Sequence, residues 1–266
     1  MKLSKKKTFN HLLSGAIVLS TLTIISCGVK KELLSNAELT SSDIVNGKTV
    51  SKKNGNSHSI VAIIADKDDG QALCTGTIVS PEVILTAAHC VDESPKKLHI
   101  VFGVDVQKTT EKDIRHADKF VKHPNWNRHM PSGEGDLALI HFKGSLPAGY
   151  VPVTLANENL KLKKGQKIFM LGFGVTDGET EVGSGKLRQT TSIIIEQKST
   201  NEYVSDGTKS SVCFGDSGGP AFVKVDKAYV QWGVASSVLN KSCDEASIHT
   251  ALMNYGAWIK SMINKM

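Results

Sequence analysis

Very little of this 266-residue chain is suited to a bilayer or to a nucleic acid. Its long apolar run, Leu12 to Ile25, falls short of the roughly 20 residues that a spanning helix needs, and it stands close to the start. A basic groove is missing too. Of the formal charge of +6, Lys2, Lys5, Lys6 and Lys7 belong to that leader and Lys30 and Lys31 follow just beyond it, so the remainder is only mildly basic and no nucleic-acid partner is expected. His58, His99, His116, His123, His129, His141 and His249 have neither metal-ligand spacing nor a nucleophile beside them, which leaves them surface or packing roles and predicts no metal and no cofactor. Charged residues make up only 22% against 40% apolar, which excludes disorder and allows a large core. No internal repeat is visible.

Cysteines are few, and their number is odd. Five in an exported chain means that one has a role other than internal pairing. Cys27 is the outlier: it closes a lysine-rich start followed by the apolar run, and Ile24-Ile25-Ser26-Cys27 resembles a bacterial lipobox, in which the cysteine becomes the lipidated first residue. Residues 1–26 then form a lipoprotein-type signal, Cys27 anchors the chain to a membrane, and residues 27–43 are a polar tether or pro-segment with no period worth burying. An ordinary secretory signal cut nearby is the alternative.

From Ile44 the texture changes. Ser59 to Ala65, Leu73 to Val79, Val83 to Thr86, Leu98 to Phe102 and Leu137 to Phe142 are short β-rich runs separated by Gly, Asp, Asn and Pro clusters. A second series follows: Lys167 to Gly172, Leu187 to Glu196, Pro220 to Val225, Tyr229 to Ser236 and Ser247 to Leu252. Such spacing predicts an all-β sandwich or barrel. Gly144 to Asn159 reads as the linker between two lobes, residues 44–150 and 151–266. Tyr255, Trp258, Ile259, Met262 and Ile263 follow helical spacing, which predicts a terminal amphipathic helix packed on the second lobe.

The chemistry gathers at Cys213-Phe214-Gly215-Asp216-Ser217-Gly218-Gly219-Pro220. A serine hydroxyl is a weak nucleophile at neutral pH, so a serine among glycines, where a substrate backbone can come close, asks for a base and for oxyanion donors elsewhere. Alone, the stretch also fits an ordinary turn. Thr86-Ala87-Ala88-His89-Cys90 offers a histidine at the end of an apolar run, and Asp136-Leu137-Ala138-Leu139-Ile140 an acid entering a strand. In the order His89, Asp136, Ser217 these stretches resemble the motifs of the chymotrypsin/trypsin-like serine protease family. Ile44-Val45-Asn46-Gly47, Gly172-Phe173-Gly174-Val175-Thr176 and the closing Asn254-Tyr255 with Trp258-Ile259 extend the resemblance to the C-terminus.

The resemblance implies two six-stranded antiparallel barrels and a monomeric endopeptidase acting on proteins or peptides. It assigns His89, Asp136 and Ser217 to a catalytic triad, the N–H groups of Gly215 and Ser217 to the oxyanion hole, and disulfides to Cys74 with Cys90 and Cys213 with Cys243. It places Ser211 at the base of the primary pocket with Ser236, Val238 and Ser247 around it, an uncharged and narrow slot that favours small or medium apolar P1 residues. The family's calcium loop would need a carboxylate just after Gly103; Val104 stands there, so no calcium is expected despite Asp105, Glu111 and Asp113. The resemblance also implies a zymogen: a cut before Ile44 frees an amine that pairs with Asp216, and until then the oxyanion hole is poorly formed. Asp43 replaces the usual Lys or Arg before that bond, so another protease must make the cut, releasing the enzyme from its lipid. Two other readings stay open: a catalytically silent binding or adhesion protein on a protease scaffold, and an esterase-like hydrolase of the cell envelope.

Overall fold

A computed structural model describes residues 44–51, 55–92, 95–129 and 134–266. The leader, the tether and Cys27 lie outside the described residues.

A two-residue strand, β1 (Lys48–Thr49), precedes the first barrel. That barrel consists of β2 (Ile60–Lys67), β3 (Gly70–Ser80), β4 (Val83–Thr86), β5 (Lys97–Val101), β6 (Ile114–Lys122) and β7 (Ala138–Phe142). All pairs are antiparallel, and the order β2-β3-β4-β7-β6-β5 closes through the β2–β5 pair. Inward side chains such as Ile63, Ile78, Ile84, Ile100, Leu139 and Phe142 are withdrawn from water, each worth about 1.5–3 kcal/mol of transfer free energy. Closure leaves no free sheet edge for another chain to pair with.

The second barrel is built from β8 (Lys167–Gly172), β9 (Arg188–Ser199), β10 (Glu202–Asp206), β11 (Pro220–Val225), β12 (Ala228–Val238) and β13 (Ala246–Ala251). Its order is β8-β9-β10-β13-β12-β11, closing through the β8–β11 pair, with β1 added along β9. Trp232, fully buried, fills its centre against Tyr203. The chain passes between barrels over a short distance: Val153 N still bonds Ile78 O at 3.0 Å, and Ala156 N already bonds Gln231 O at 2.8 Å.

The chymotrypsin-like architecture is thus as expected, with two additions. β6 and β10 complete the barrels, yet neither reads as a strand in the sequence. Ile-Arg-His-Ala-Asp-Lys-Phe-Val-Lys of β6 has no fully buried position, so no apolar alternation marks it. In β10 the buried positions include Glu202 and Ser205, which disguise a buried strand as a polar one.

A correction concerns the terminal helix, α1 (Gly256–Ile263). It packs on the first barrel and not on the second lobe: Ile259 and Tyr255 are buried in the first barrel's cluster, with Trp258, Met262 and Ile263 against it. His123, which follows β6, meets the rings of Tyr255 and Trp258 edge-on, both at 4.8 Å. An apolar stripe says that a helix must be covered, and not by which neighbour.

Candidate active site

Each member of the expected triad sits in a turn beside a strand, His89 shortly after β4, Asp136 just before β7 and Ser217 shortly before β11. After β4 the chain turns through one 3₁₀ turn, Ala88–Val91, whose Ala88, Cys90 and Val91 are buried while the His89 side chain stays 37% exposed. The Cys74–Cys90 disulfide ties that turn to β3. Asp136 stands just before β7, after Gly135, whose φ of 73° is left-handed and whose N–H donates to the Tyr255 hydroxyl at 3.0 Å. The residue that caps the terminal helix therefore steadies the turn that carries Asp136. Ser217 lies between β10 and β11, flanked by Gly215 and Gly218, both at positive φ. At Gly218 a Cβ would strike Thr86 Oγ1 and the Thr75 carbonyl, so the motif's glycine there is a steric requirement.

The geometry unites these residues. His89 Nδ1 donates to Asp136 Oδ2 at 2.8 Å, and the His89 backbone N–H donates to Oδ1 at 3.0 Å. Ser236 Oγ gives Oδ2 a further bond at 2.7 Å. Asp136 is only 3% exposed. Burial alone would raise its pKa, but the His89 bond and charge together with Ser236 outweigh it and hold the carboxyl below the usual range. His89 and Ser217 face one cavity of about 370 Å³, which Val212, Phe214, Ala235, Ser236, Ser237 and Val238 also line. Among the described residues no hydrogen bond joins Ser217 Oγ to the His89 ring; such bonds commonly tighten only with substrate. A larger cavity of about 610 Å³, bounded by Phe102, Asp113 and Leu187, contains none of the triad.

Gly215 and Ser217 keep their backbone N–H groups without acceptors among the described residues, as an oxyanion site requires. The loop around them is held from the other barrel. Thr75 of β3 donates its N–H to Ser217 O at 2.8 Å and its hydroxyl to Gly215 O at 2.8 Å, while Phe173 N donates to Thr75 Oγ1 at 3.0 Å. Sequence reasoning passed over Thr75; its position beside Cys74 is the only signal.

The expected pocket residues divide. Ser236 and Val238 line the cavity. Ser211 and Ser247, both fully buried, bond each other at 2.7 Å, and Ser211 Oγ also donates to Val212 O at 2.9 Å; neither lines the cavity. Ser236 is aimed at Asp136 by a shift of register in β12, where Ala235 faces His249 and Ser237 faces Ile248, leaving Ser236 as the extra residue.

Cys213 and Cys243 form the second disulfide. Cys74, His89 and Cys90 come within reach of one ion, but the two sulfurs are bonded to each other and offer no thiolate. In the loop after Gly103, Asp105 caps a turn through Gln107 N and pairs with Lys108 at 3.3 Å, and Asp113 accepts from Thr110.

The family profile described as Trypsin matches residues 44–259. Over 215 residues the chain is 29% identical to a chymotrypsin-like elastase family member 1 of Macaca fascicularis, covering 71% of this chain and 78% of that protein.

Proposed function

Since the chain belongs to the trypsin family, we propose that it is a serine endopeptidase working through an acyl-enzyme on His89, Asp136 and Ser217. The observation that carries this reading is the Asp136–His89 pair at 2.8 Å opening onto the cavity that also holds Ser217. Ser217 Oγ attacks the scissile carbonyl while its proton passes to His89 Nε2. Asp136 keeps the proton on Nδ1 and stabilises the imidazolium. The oxyanion is received by the N–H groups of Gly215 and Ser217, and loss of one such donor typically costs about 2.7–4 kcal/mol. Collapse breaks the C–N bond, the amine leaves with the proton from His89, and water attacks the acyl-enzyme by the same route.

Two lines support a narrow apolar P1 preference: Val238 at the cavity, and the lack of an acidic side chain among the described residues that line it to meet Lys or Arg. The disulfides and the family support export. The chain is made as a lipid-tethered precursor that a different protease cuts before Ile44, freeing an amine to join Asp216. Catalysis is tested by fluorophosphonate labelling and peptide hydrolysis of the wild type and Ser217→Ala. The wild type should react and the folded variant should not; turnover by Ser217→Ala near the wild-type rate would refute the mechanism.

A further inference from the structure

Asp216, beside the nucleophile, is fully withdrawn from water. Its Oδ1 accepts Gly174 N–H at 2.7 Å and its Oδ2 accepts Cys213 N–H at 2.8 Å. Gly172 and Gly174 lie so close that a Cβ on either would strike the carboxylate, at Gly174 only 2.5 Å from Cγ. Two amide donors do not balance a buried charge. Burial pushes Asp216 up to about 7, and the charge that acts against this is Arg188. The other groups near the carboxylate, Gly172 at the end of β8, Gly174 just after it and the Cys213–Cys243 bridge, do not titrate.

Arg188 opens β9 and is only 3% exposed. Its Nη1 donates to Gly174 O at 3.2 Å and to Lys186 O at 3.2 Å. Gly174 is thus bonded on both sides, its N–H to the carboxylate and its carbonyl to the guanidinium. The segment that would supply a freed amine is already seated in the uncut chain. Ile44 is fully buried, Val45 O accepts Ser211 N at 3.3 Å, and Thr49 faces Arg188 across the β1–β9 ladder. Val45 also packs against Val175 and the Cys213–Cys243 bridge.

We propose that Arg188 is the resident counter-charge of Asp216, a positioning residue that holds the nucleophile loop in working form before any cut, so that the intact precursor already hydrolyses peptides. The proposal rests on the serine-peptidase reading. A guanidinium stays charged at every relevant pH, so the amine freed at Ile44 adds a second cation where one is already present. Release from the tether then changes where the enzyme is more than whether it works.

The test compares the full chain, kept uncut and checked by intact mass before and after each assay, with a chain beginning at Ile44. The intact form should react with a fluorophosphonate and cleave an Ala-P1 peptide with kcat/KM within about 100-fold of the cut form. Arg188→Gln should lower the intact form by about a further 100-fold, and the cut form by less. Loss of the positive charge raises the Asp216 pKa, so the acid limb of the intact form's kcat/KM profile should move to higher pH, and Arg188→Lys should bring it back. An intact wild type that is silent while the cut form works overturns the proposal and leaves the peptidase reading standing. If neither form works, both fall. An Arg188→Gln precursor with unchanged rate and pH profile also overturns the proposal, and should that variant fail to fold, the intact wild type and Arg188→Lys still decide it.

Discussion

Ser236 Oγ donates to Asp136 Oδ2 at 2.7 Å across 100 residues of sequence, joining the second barrel to the acid of the first. With His89 on the same oxygen, the carboxylate has little freedom to turn.

Ser236→Ala should therefore lower kcat about 10-fold, in line with loss of a hydrogen bond to a charged group worth about 1.5 kcal/mol or more, with KM little changed. Steady-state kinetics on a short peptide checks this. A kcat within twofold of wild type would mean that the two His89 bonds orient Asp136 without help.

Digestion of a peptide library should yield products ending mainly in Ala, Val or Leu. A P1 Lys would bury its ammonium in a cavity with no acidic side chain among its described lining residues at a cost of about 2 kcal/mol or more, hence at least about 30-fold in kcat/KM. Mass spectrometry of the cleaved ends reads the preference directly. Products ending mostly in Lys or Arg would show that the pocket is misassigned, and products ending in Phe or Tyr that Val238 does not narrow it.

Replacing Cys74 and Cys90 together by serine should cost about 3 kcal/mol, since the bridge closes a loop with a sequence separation of 16. That corresponds to a fall in Tm of about 10 °C in calorimetry. Because the bridge borders the turn that carries His89, kcat should fall as well at a temperature where the variant is folded.

His249 should make the fold sensitive to acid. It is fully buried, bonds Ser205 Oγ through Nε2 at 2.8 Å and meets the Trp232 ring at 5.5 Å. Burial lowers its pKa from 6.5 to about 4. The folded state thus keeps it neutral where the unfolded chain takes up a proton. The stability this contributes is fully present above pH 6.5 and is lost as pH falls towards 4, a loss of about 3 kcal/mol. Urea unfolding at pH 7, 6, 5 and 4 should show a steeper decline in the wild type than in His249→Gln. Asp216 has the opposite sign: its pKa is raised to about 7, so its contribution falls as pH rises from about 4 to 7. The difference between wild type and variant isolates the histidine.

Much of this protein is local and can be read along the chain. His89, Asp136 and Ser217 sit in short stretches that resemble the family's motifs, and the buried runs of β3, β4, β7 and β8 carry their own apolar signal. The disulfide partners follow from the same motifs. What only the tertiary structure decided depends on neighbours distant in sequence. β6 is a strand because β5 and β7 leave it a gap to close, and its polar, part-exposed residues do not announce one. The terminal helix rests on the first barrel because His123 and the turn before Asp136 offer Tyr255 and Trp258 a surface there. Thr75 and Arg188 are ordinary strand residues until folding sets one against Ser217 and the other one peptide away from Asp216. Composition records which groups a chain owns; the field at a buried carboxylate depends on which of them the fold brings within a few ångströms.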